Sequence, residues 1–486
     1  MQRERAAEIL ASLNGKTALV LGDVILDSFV YGVVQRISRE APAPILSETH
    51  RNAMLGGAGN LARNIESLGG QARLISVISN DSDGARVAEL AEQACGERAK
   101  MVVADERSTP SKIRYIAKAQ QMFCVDRDPD GQLSEETEKA IISAVDQIID
   151  DCDIVILSDY GRGLITPKVS SAVIERARAA NKPVTVDPRG SNYLRYDGAT
   201  LIKPNADELA AETGLPVNDD ETAISALGAL KHRLSRTDAL IVTRGADGMT
   251  MMDGDGRTEH QRSRPRDVFD VSGAGDTALA ALSLSLAANF DLRECMALAD
   301  LAAGVAVSKP GTAIVGPYEI LDDAGIGQDA PDWRVMDQES AAALSAEWRA
   351  QGLKVGFTNG CFDILHPGHL SVLRYAAAAC DRLIVGLNAD ASVSRLKGAD
   401  RPINPQHNRA VMLASLEMTD RVVVFEEDTP EALIRALRPH VMIKGADYKA
   451  DDLPGAAFIK EIGGEVLLAP LVDGLSTSRI VEKMQS

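Results

Sequence analysis

The feature of this sequence that most restricts its fold is a series of short, uninterrupted apolar runs separated by longer segments with helical periodicity. Runs of Val, Ile and Leu without polar alternation are typical of strands that are buried on both faces. They lie at 17–23, 72–79, 153–161, 183–190, 199–205 and 239–245, and then at 354–363, 381–390, 421–428, 441–448 and 465–474. The pattern predicts an α/β protein with parallel sheets, and its ligands are expected at the carboxyl ends of the strands.

Residues 322–340 lack periodicity and contain Gly, Pro and acidic residues. We expect two fused α/β domains, at 1–325 and 341–486, joined by a linker at 326–340. Each domain then begins its own series of strands.

Two segments of the first domain, 30–48 and 111–126, have the pattern of twisted, partly exposed strands. A small β-layer over the mouth of the sheet would explain both segments. Ordinary hairpins at the edge of the main sheet would give the same pattern, and the sequence leaves this choice open.

Composition restricts the partners and the compartment. The chain has 52 Lys and Arg against 70 Asp and Glu, a formal net charge of −18, which opposes binding to nucleic acid or to an anionic membrane. Its six cysteines are scattered with no CxxC pair, which is typical of free thiols in a reducing compartment. With no apolar leader and no long apolar stretch, the expected location is the cytoplasm.

The most informative segment of the first domain is 267–287, where a strand-like DVFDV leads into SGAGD and a helix of small residues. Glycines at 273 and 275 allow backbone amides to face an anion at the start of that helix. Asp276, on the first turn, would accept the proton of an attacking hydroxyl while the amides hold a phosphoryl group. A simple helix cap would produce the same local pattern.

Three further turns extend this interpretation. GGAGN at 56–60 opens a second Gly-rich helix, and VTRGADG at 242–248 suits the edge of a nucleotide. Asn205 and Glu208 follow a strand and share one face of a helical turn, where they can order water and Mg²⁺ around phosphates. A plain helix start is the alternative for this last pair.

In their order and spacing, GGAGN, N-x-x-E and D-x-x-G-A-G-D resemble the ribokinase/PfkB family of sugar kinases. The resemblance implies a three-layer α/β domain with a β lid, ATP as phosphoryl donor, and a sugar hydroxyl as acceptor. It implies that Asp276 is the base and that Gly273, Ala274 and Gly275 form the anion hole. The implied ATP and Mg²⁺ site comprises Asn205, Ala206, Asp207, Glu208 (through water to the metal), Thr243, Gly245 and Gly248. Sugar hydroxyls would contact Asp23, Gly56, Gly57 and Asn60. One departure is Ala278, where many members carry Phe, and it concerns packing alone.

Two other nucleotide-binding classes are disfavoured. Gly57, Gly59 and Ala62 match the dinucleotide fingerprint, but a polar stretch precedes them in place of a buried strand, which opposes a dehydrogenase. The sequence contains no GxxxxGK[ST], so a P-loop kinase is excluded.

The second domain opens with a strand that ends at 359–363 and leads to His366-Pro-Gly-His369 at a helix start. Two His three residues apart can bind one anion, and Gly368 lets a phosphate approach the backbone. A zinc site would need a third ligand, which the context of the downstream His residues does not supply. Buried structural histidines are the other alternative.

This pattern is similar to the H-x-G-H nucleotidyltransferases, specifically their cytidylyltransferase-like branch, and KGADY at 444–448 and GLSTSRI at 474–480 support it. The resemblance implies that His366 and His369 stabilise charge at the α-phosphorus. The implied nucleotide site comprises Asn359, Gly360, Cys361, Phe362, Asp363, Asn388, Lys397, Lys444, Asp447, Ser476, Thr477 and Ser478. The motifs alone do not decide between ATP and CTP. An aminoacyl-tRNA synthetase would need a KMSKS-type loop and an RNA-binding surface, which the net charge opposes.

With a kinase-like domain followed by a nucleotidyltransferase-like domain, nearly the whole chain resembles the bifunctional heptose kinase/adenylyltransferases of lipopolysaccharide core synthesis. This implies phosphorylation of D-glycero-D-manno-heptose 7-phosphate at O1, and then ADP-heptose formation from heptose 1-phosphate and ATP. Lys112, Arg114 and Arg189 are candidates for holding the substrate phosphate, and the lid suggests a homodimer. Alternatives are a kinase with an inactive regulatory domain, or a sugar kinase fused to a cytidylyltransferase with another substrate.

Overall fold

The computed structural model describes residues 1–39, 41–117, 120–264, 268–309, 311–312, 314–325, 334–350, 352–398, 400–446 and 453–470. The chain divides into two compact units, Met1–Ala324 and Gly325–Ser486. Each unit has a largely parallel sheet covered by helices, so the predicted α/β class is confirmed.

The strands of the first unit are β1 (Thr17–Gly22), β2 (Val24–Ile37), β3 (Pro44–Gly57), β4 (Gln71–Ile78), β5 (Ala99–Val103), β6 (Ser111–Ala117), β7 (Gln120–Arg127), β8 (Ile154–Ser158), β9 (Val184–Asp187), β10 (Leu201–Ile202), β11 (Ala239–Thr243), β12 (Met249–Met252) and β13 (Thr258–Gln261). Its helices are α1 (Arg3–Leu13), α2 (Ala58–Ser67), α3 (Ser82–Cys95), α4 (Glu135–Asp146), α5 (Pro167–Ala179), α6 (Ala206–Thr213), α7 (Asp220–Arg233), α8 (Ala274–Ala287), α9 (Leu292–Val307) and α10 (Pro317–Gly325).

The main sheet of this unit has the strand order β13-β12-β11-β10-β9-β8-β1-β4-β5 among the described residues. Pairing is parallel from β5 to β11, and β12 and β13 extend one edge antiparallel. The order reverses at β1, which lies between β4 and β8. Such a reversal opens a crevice at the carboxyl ends of the strands, and the loops after β1 and β8 meet there.

Helices cover both faces because successive residues of each strand point to opposite sides. On β1, Val20 belongs to the core formed with α1, α2, α8 and α9, whereas Leu19 belongs to the core formed with α4, α5 and α7. Ala and Ser fill most of the buried length of α8, so neighbouring helices approach it closely.

The two segments predicted as partly exposed strands form a separate four-stranded sheet, β3-β2-β6-β7, which we call the lid sheet. The long strands β2 and β3 pair antiparallel, from the partners Val24 and Gly57 near the main sheet to the partners Ile37 and Pro44 at the far end. The halves of both strands at that far end are largely exposed. The prediction of a β lid is thus confirmed, and the alternative of edge hairpins on the main sheet is wrong.

The second unit contains strands β14 (Val335–Met336), β15 (Val355–Gly360), β16 (Arg382–Asn388), β17 (Arg421–Phe425), β18 (Val441–Gly445) and β19 (Glu465–Ala469). Its helices are α11 (Gln338–Ala350), α12 (Pro367–Ala378), α13 (Asp390–Lys397), α14 (Gln406–Ala414), α15 (Glu431–Leu437) and α16 (Ala456–Glu461). The sheet is parallel with the order β14-β17-β16-β15-β18-β19 among the described residues, and its order reverses at β15.

Of the segment predicted as a linker, 326–340, residues 326–333 lie outside the described residues. Residues 334–340 contain β14, which pairs with β17, and the first residues of α11. Regular structure of the second unit therefore begins before residue 341. Among the described residues, no helix combines the length and the apolar composition needed to cross a membrane.

Two candidate active sites

Asp276 lies on the first turn of α8, at the crevice of the first unit. The residue is only 3% exposed, and each of its carboxylate oxygens accepts a hydrogen bond. Asn60 Nδ2 donates to Oδ2 at 2.7 Å, and the Tyr160 hydroxyl donates to Oδ1 at 2.6 Å. Two predicted site residues, Asp276 and Asn60, are therefore in direct contact, and Tyr160 is an addition that sequence reasoning missed.

Burial dominates the electrostatics of this carboxyl. It raises the pKa of Asp276 to about 6, against the opposing effect of the two hydrogen bonds from Asn60 and Tyr160. Nearby Lys203 also favours the ionised form of Asp276. The Lys203 ammonium itself forms its ion pair with Asp187, 2.8 Å from Oδ1. A carboxylate with a pKa close to neutrality can both accept and release a proton.

The anion hole predicted at Gly273, Ala274 and Gly275 is the N-terminus of α8. Gly273 has φ = 80°, and a Cβ there would lie 2.9 Å from Asn60 Nδ2, so only glycine fits. No side chain at this N-cap bonds to the first amides, and a Cβ at Gly275 would meet no atom within 4 Å. The helix thus presents its positive end to open space beside Asp276.

Asp23, which is predicted to contact a sugar hydroxyl, is buried, and its carboxylate is bound by backbone amides. Its carboxylate accepts hydrogen bonds at 3.1 Å from the backbone amides of Tyr160, Arg162 and Leu164. Burial raises its pKa to about 6, and Asp159 adds to the rise. Asp23 therefore fixes the loop after β8. Gly57, with φ = 59°, packs against it: a Cβ at Gly57 would lie 2.3 Å from the Asp23 carbonyl oxygen.

A second carboxylate of the same segment, Asp27, faces the crevice from the lid sheet. Arg114 Nη1 donates to Asp27 Oδ1 at 2.8 Å, and a Cβ at Gly56 would lie 2.4 Å from Asp27 Oδ2. Lys112, on the same face of β6, is 3.2 Å from Asp126. Sequence reasoning named Gly56, Lys112 and Arg114 but missed Asp27, although GDVILD shows two acidic residues four apart.

Asn205 and Glu208 form a reciprocal capping box at the start of α6. Glu208 N donates to Asn205 Oδ1 and Asn205 N donates to Glu208 Oε2, both at 2.9 Å. The other oxygen of Glu208 is 2.8 Å from Arg189 Nη1, so Arg189 lies beside the predicted nucleotide site. Ala206 and Asp207 occupy the first turn of α6. No cluster of three acidic, His or Cys side chains suited to a metal ion occurs in the described part of the chain.

The turn after β11 completes this edge of the crevice. Thr243 forms an isolated parallel bridge with Asn205, which places these two predicted residues side by side. Gly245 and Gly248 have φ of 56° and 88°, and a Cβ at Gly248 would lie 2.0 Å from the Gln261 carbonyl oxygen. An open, polar cavity of about 500 Å³ lies next to this turn. Its lining residues are Asn218, Asp219, Asp220, Glu221, Arg244, Asp247 and Arg262.

In the second unit, the loop after β15 makes a sharp turn at Phe362, which has φ = 44°. Asp363 is 1% exposed and accepts hydrogen bonds from the amides of Ile403 at 2.7 Å and Asn404 at 3.1 Å, and it pairs with Arg401. Asp363 therefore anchors the 401–404 loop. Gly360 is the last residue of β15, immediately before this turn.

His366 and His369 flank the first turn of α12, and their rings stack with centroids 3.8 Å apart. Burial lowers the pKa of both imidazoles, to about 4 for His369, and the positive charge of Lys397 contributes. The Nδ1 atoms of both are buried with no hydrogen-bond partner among the described residues. Two neutral imidazoles with unmatched nitrogens at a helix start are suited to an incoming ligand.

The remaining predicted residues of this unit surround the same strand ends. Lys444 Nζ donates to the Asn359 carbonyl at 2.7 Å, and Asn388 Nδ2 donates to Ser392 Oγ at 3.0 Å. Fully buried Arg409, which sequence reasoning missed, donates to the carbonyls of Cys361 at 2.6 Å and Asn388 at 2.9 Å. The predicted residues Asp447, Ser476, Thr477 and Ser478 lie outside the described residues.

Comparison with known proteins gives both units a family. Residues 17–317 match the family described as pfkB family carbohydrate kinase, and residues 357–483 match the family described as cytidylyltransferase-like. Phosphofructokinase-2 from Escherichia coli in complex with potassium superimposes with a TM-score of 0.55 at 21% identity, over 64% of this chain and 98% of that one. This likeness shows the fold of the first unit.

Relatives with both units are found at higher identity. The Bifunctional protein HldE of Caulobacter vibrioides is 46% identical over 481 residues, covering 99% of either chain. That of Paramagnetospirillum magneticum is 42% identical over 482 residues, covering 98% of either chain. The chain belongs to this family of bifunctional HldE enzymes, which join a PfkB-type carbohydrate kinase to a cytidylyltransferase-like domain.

Proposed function

We propose that the first unit phosphorylates D-glycero-D-manno-heptose 7-phosphate at O1 with ATP, and that the second joins heptose 1-phosphate to AMP from ATP, giving ADP-heptose. The observation that carries the kinase half is the buried Asp276 carboxylate on the first turn of α8, whose N-terminus no side chain caps. A base and an anion site a few ångströms apart are what phosphoryl transfer to a hydroxyl requires.

In the first reaction, Asp276 accepts the proton of the sugar O1 hydroxyl as that oxygen attacks the γ-phosphorus of ATP. The bond from the γ-phosphorus to the bridging oxygen breaks, and ADP leaves. The amides at Ala274 and Gly275 stabilise the charge on the transferring group, because the helix dipole adds to their hydrogen bonds. The Ala274 amide donates to the Val271 carbonyl at 3.4 Å in this structure, so it exchanges that bond for one to the phosphate. Asn60 holds the Asp276 carboxylate in place from the opposite side.

ATP would lie along the turn at Thr243, Gly245 and Gly248, with its phosphates towards α8. Mg²⁺ would accompany the phosphates, since this cation keeps several waters and takes few protein ligands. Glu208, whose carboxylate is held by Asn205 and Arg189, suits a contact to the metal through water.

The sugar would lie under the lid sheet. Asp27 and Arg114 offer an acceptor and donors on one face of that sheet, and Lys112 lies on the same face. These groups suit sugar hydroxyls and the phosphate at the far end of the substrate.

In the second reaction, an oxygen of the sugar 1-phosphate attacks the α-phosphorus of ATP, and the bond to the β-phosphate breaks to release pyrophosphate. His366 and His369 donate hydrogen bonds to the charge that develops, and Lys397 and Lys444 neutralise phosphates. The stacked, unmatched imidazoles support this half. They also oppose a kinase with an inactive second domain, which has no need of such a site.

We also infer that the enzyme is a homodimer through the lid sheet. The face of this sheet opposite Asp27 and Arg114 carries apolar side chains with large exposed fractions, Phe123 at 55% and Val125 at 43%. Burial of such side chains against a second copy would stabilise the dimer.

The test is product analysis by mass spectrometry of the full chain with ATP or CTP and a panel of sugar phosphates. We expect heptose 1,7-bisphosphate from heptose 7-phosphate, and ADP-heptose with pyrophosphate from heptose 1-phosphate. Turnover with CTP alone, or with a different sugar phosphate alone, would contradict the proposed substrates. Absence of pyrophosphate under all conditions would support an inactive second domain.

A further inference from the structure

Tyr160 lies in a turn directly after β8, and its hydroxyl reaches across the crevice to Asp276. The hydroxyl donates to Asp276 Oδ1 at 2.6 Å, which is in the range of charge-assisted bonds from an O–H donor to a carboxylate. Because Asn60 donates to the other oxygen, each oxygen of Asp276 retains a free lone pair for one further contact.

Hydrogen bonds of the backbone fix the position of Tyr160. Its amide donates to Asp23 Oδ2 at 3.1 Å, and the next residue, Gly161, has φ = 70° and donates to Asp159 Oδ1 at 2.7 Å. The ring also lies next to Gly57, where a Cβ would be in ordinary van der Waals contact with Tyr160 Cδ2 at 3.5 Å. Asp23 thus serves to place this phenol.

We propose that Tyr160 is a positioning residue of the phosphoryl-transfer site, whose hydroxyl orients the Asp276 carboxylate towards the sugar O1. The inference rests on the proposed function of the first unit and extends it to a residue outside the Gly-rich motifs. Without this hydrogen bond, Asn60 is the one side chain among the described residues that still donates to the Asp276 carboxylate.

The groups that face Asp276 and Tyr160 determine how the pKa of Asp276 should respond to loss of their hydrogen bond. Asp276 faces Asn60 on α2, Asp187 at the end of β9, and Lys203 after β10. Tyr160 faces Asp276, Asp187 and, on the lid sheet, Asp27. Burial and these carboxylates raise the pKa of Tyr160 well above its ordinary value, so the phenol stays a donor. Its hydrogen bond lowers the pKa of Asp276, against the effect of burial.

The experiment is the pH profile of kcat/KM for the kinase reaction in Tyr160→Phe, because kcat/KM reports groups of the free enzyme. We expect the acidic limb to move to higher pH by about one unit, with a ~10-fold loss below the limb. Above the limb the loss should be smaller, because the carboxylate is ionised there but less well oriented. The substrate phosphate also titrates at about pH 6, but equally for every variant. Adenylyl transfer should be unchanged.

Tyr196→Phe is the matched control. It removes a hydrogen bond of the same length, 2.6 Å, from a buried tyrosine to the carboxylate of Asp159. We expect a comparable loss of thermal stability and no movement of the acidic limb. Restored activity of Tyr160→Phe at high pH, absent in a merely destabilised variant, is the positive result.

Two outcomes overturn the inference while leaving the proposed function intact. One is a Tyr160→Phe variant whose limb and rates both coincide with those of the wild type. The other is a limb that does not move, with a rate that falls at all pH values by no more than it does in Tyr196→Phe. In contrast, failure of the wild-type enzyme to phosphorylate heptose 7-phosphate would contradict the proposed function itself.

Discussion

The imidazole of His366 lies nearly parallel to that of His369, with an interplanar angle of 24° and a centroid separation of 3.8 Å. Two protonated rings at this distance would repel each other, and Lys397 adds a third positive charge nearby. Both rings are therefore expected to be neutral at physiological pH.

Because the pKa of both rings lies below its ordinary value, any inflection of adenylyl transfer that belongs to these rings should lie at lower pH than the titration of free histidine. NMR of the imidazole protons should give a pKa of about 4 for His369. Lys397→Gln should raise the pKa of His366, since it removes a positive neighbour. A His366 pKa at or above its ordinary value in the wild-type enzyme would contradict this account.

The two reactions should be separable by single substitutions. Asp276→Asn removes the proposed base and should lower heptose 7-phosphate kinase activity by ~10²–10⁴-fold, with adenylyl transfer intact. His366→Ala should do the reverse. Both activities are measured on the same preparations, as ADP and pyrophosphate release. Loss of both activities from either substitution would refute the assignment of one reaction to each unit.

Asp276→Asn should also stabilise the first unit at neutral pH. Burial raises the pKa of Asp276 from 3.8 to about 6, so the native state binds this proton more tightly than the unfolded chain. The stability due to protonation is present at low pH and is lost as pH rises through the native pKa. Removing the buried charge should therefore increase the free energy of unfolding by about 3 kcal/mol above that pKa.

Hydrogen exchange of amides in β1 and β8 measures this effect in the first unit alone. The gain should disappear towards pH values where Asp276 is protonated in both states. A variant that is less stable than the wild type at neutral pH would show that the hydrogen bonds to Asp276 outweigh its desolvation.

Arg409→Met should damage the second unit selectively. Its guanidinium is fully buried and donates to the carbonyls of Cys361, Asn388 and Asn404, which lie in the loop after β15, at the end of β16 and in the loop before α14. Removing it leaves these three carbonyls without their donor, and we expect a loss of about 3–5 kcal/mol in that unit. Circular dichroism melting and pyrophosphate release check this, with exposed Arg435→Met as control. Unchanged pyrophosphate release would contradict the role given to Arg409.

Phe123→Ser should convert the proposed homodimer to monomers. Phe123 stacks on Tyr115, with centroids 4.5 Å apart, and is 55% exposed on the lid sheet. Light scattering after gel filtration gives the mass of each variant. Leu194→Ser, which removes a similarly exposed side chain outside the lid sheet, should leave the mass unchanged. A wild-type mass of one chain would contradict the dimer.

Much of the fold could be predicted because strand formation here depends on local composition. Runs such as 153–161 and 381–390 are apolar without alternation, which restricts them to the interior of a parallel sheet. The Gly-rich turn at Gly273 was also visible, since a positive φ at a helix start selects glycine locally. Helix starts and strand ends therefore carried most of the information.

Contacts between distant segments were not predictable in this way. In GDVILD, Asp23 and Asp27 look equivalent, but Asp23 receives three amides from a loop about 140 residues later, whereas Asp27 pairs with Arg114. Likewise, nothing near residue 160 indicates that its phenol meets Asp276. Whether a carboxylate is bound by backbone amides or by a side chain depends on tertiary packing. The residues next to it in the sequence do not indicate which partner it has.

The Asp27–Arg114 pair has a consequence for how this enzyme can evolve. Asp27 and Arg114 belong to the lid sheet, while Asp276 and the amides of α8 belong to the three-layer body of the unit. Changes in the lid strands can therefore alter the shape and charge presented to an acceptor without disturbing the base. A new acceptor preference could be selected by mutation of one small sheet, with the apparatus for cleaving ATP inherited intact.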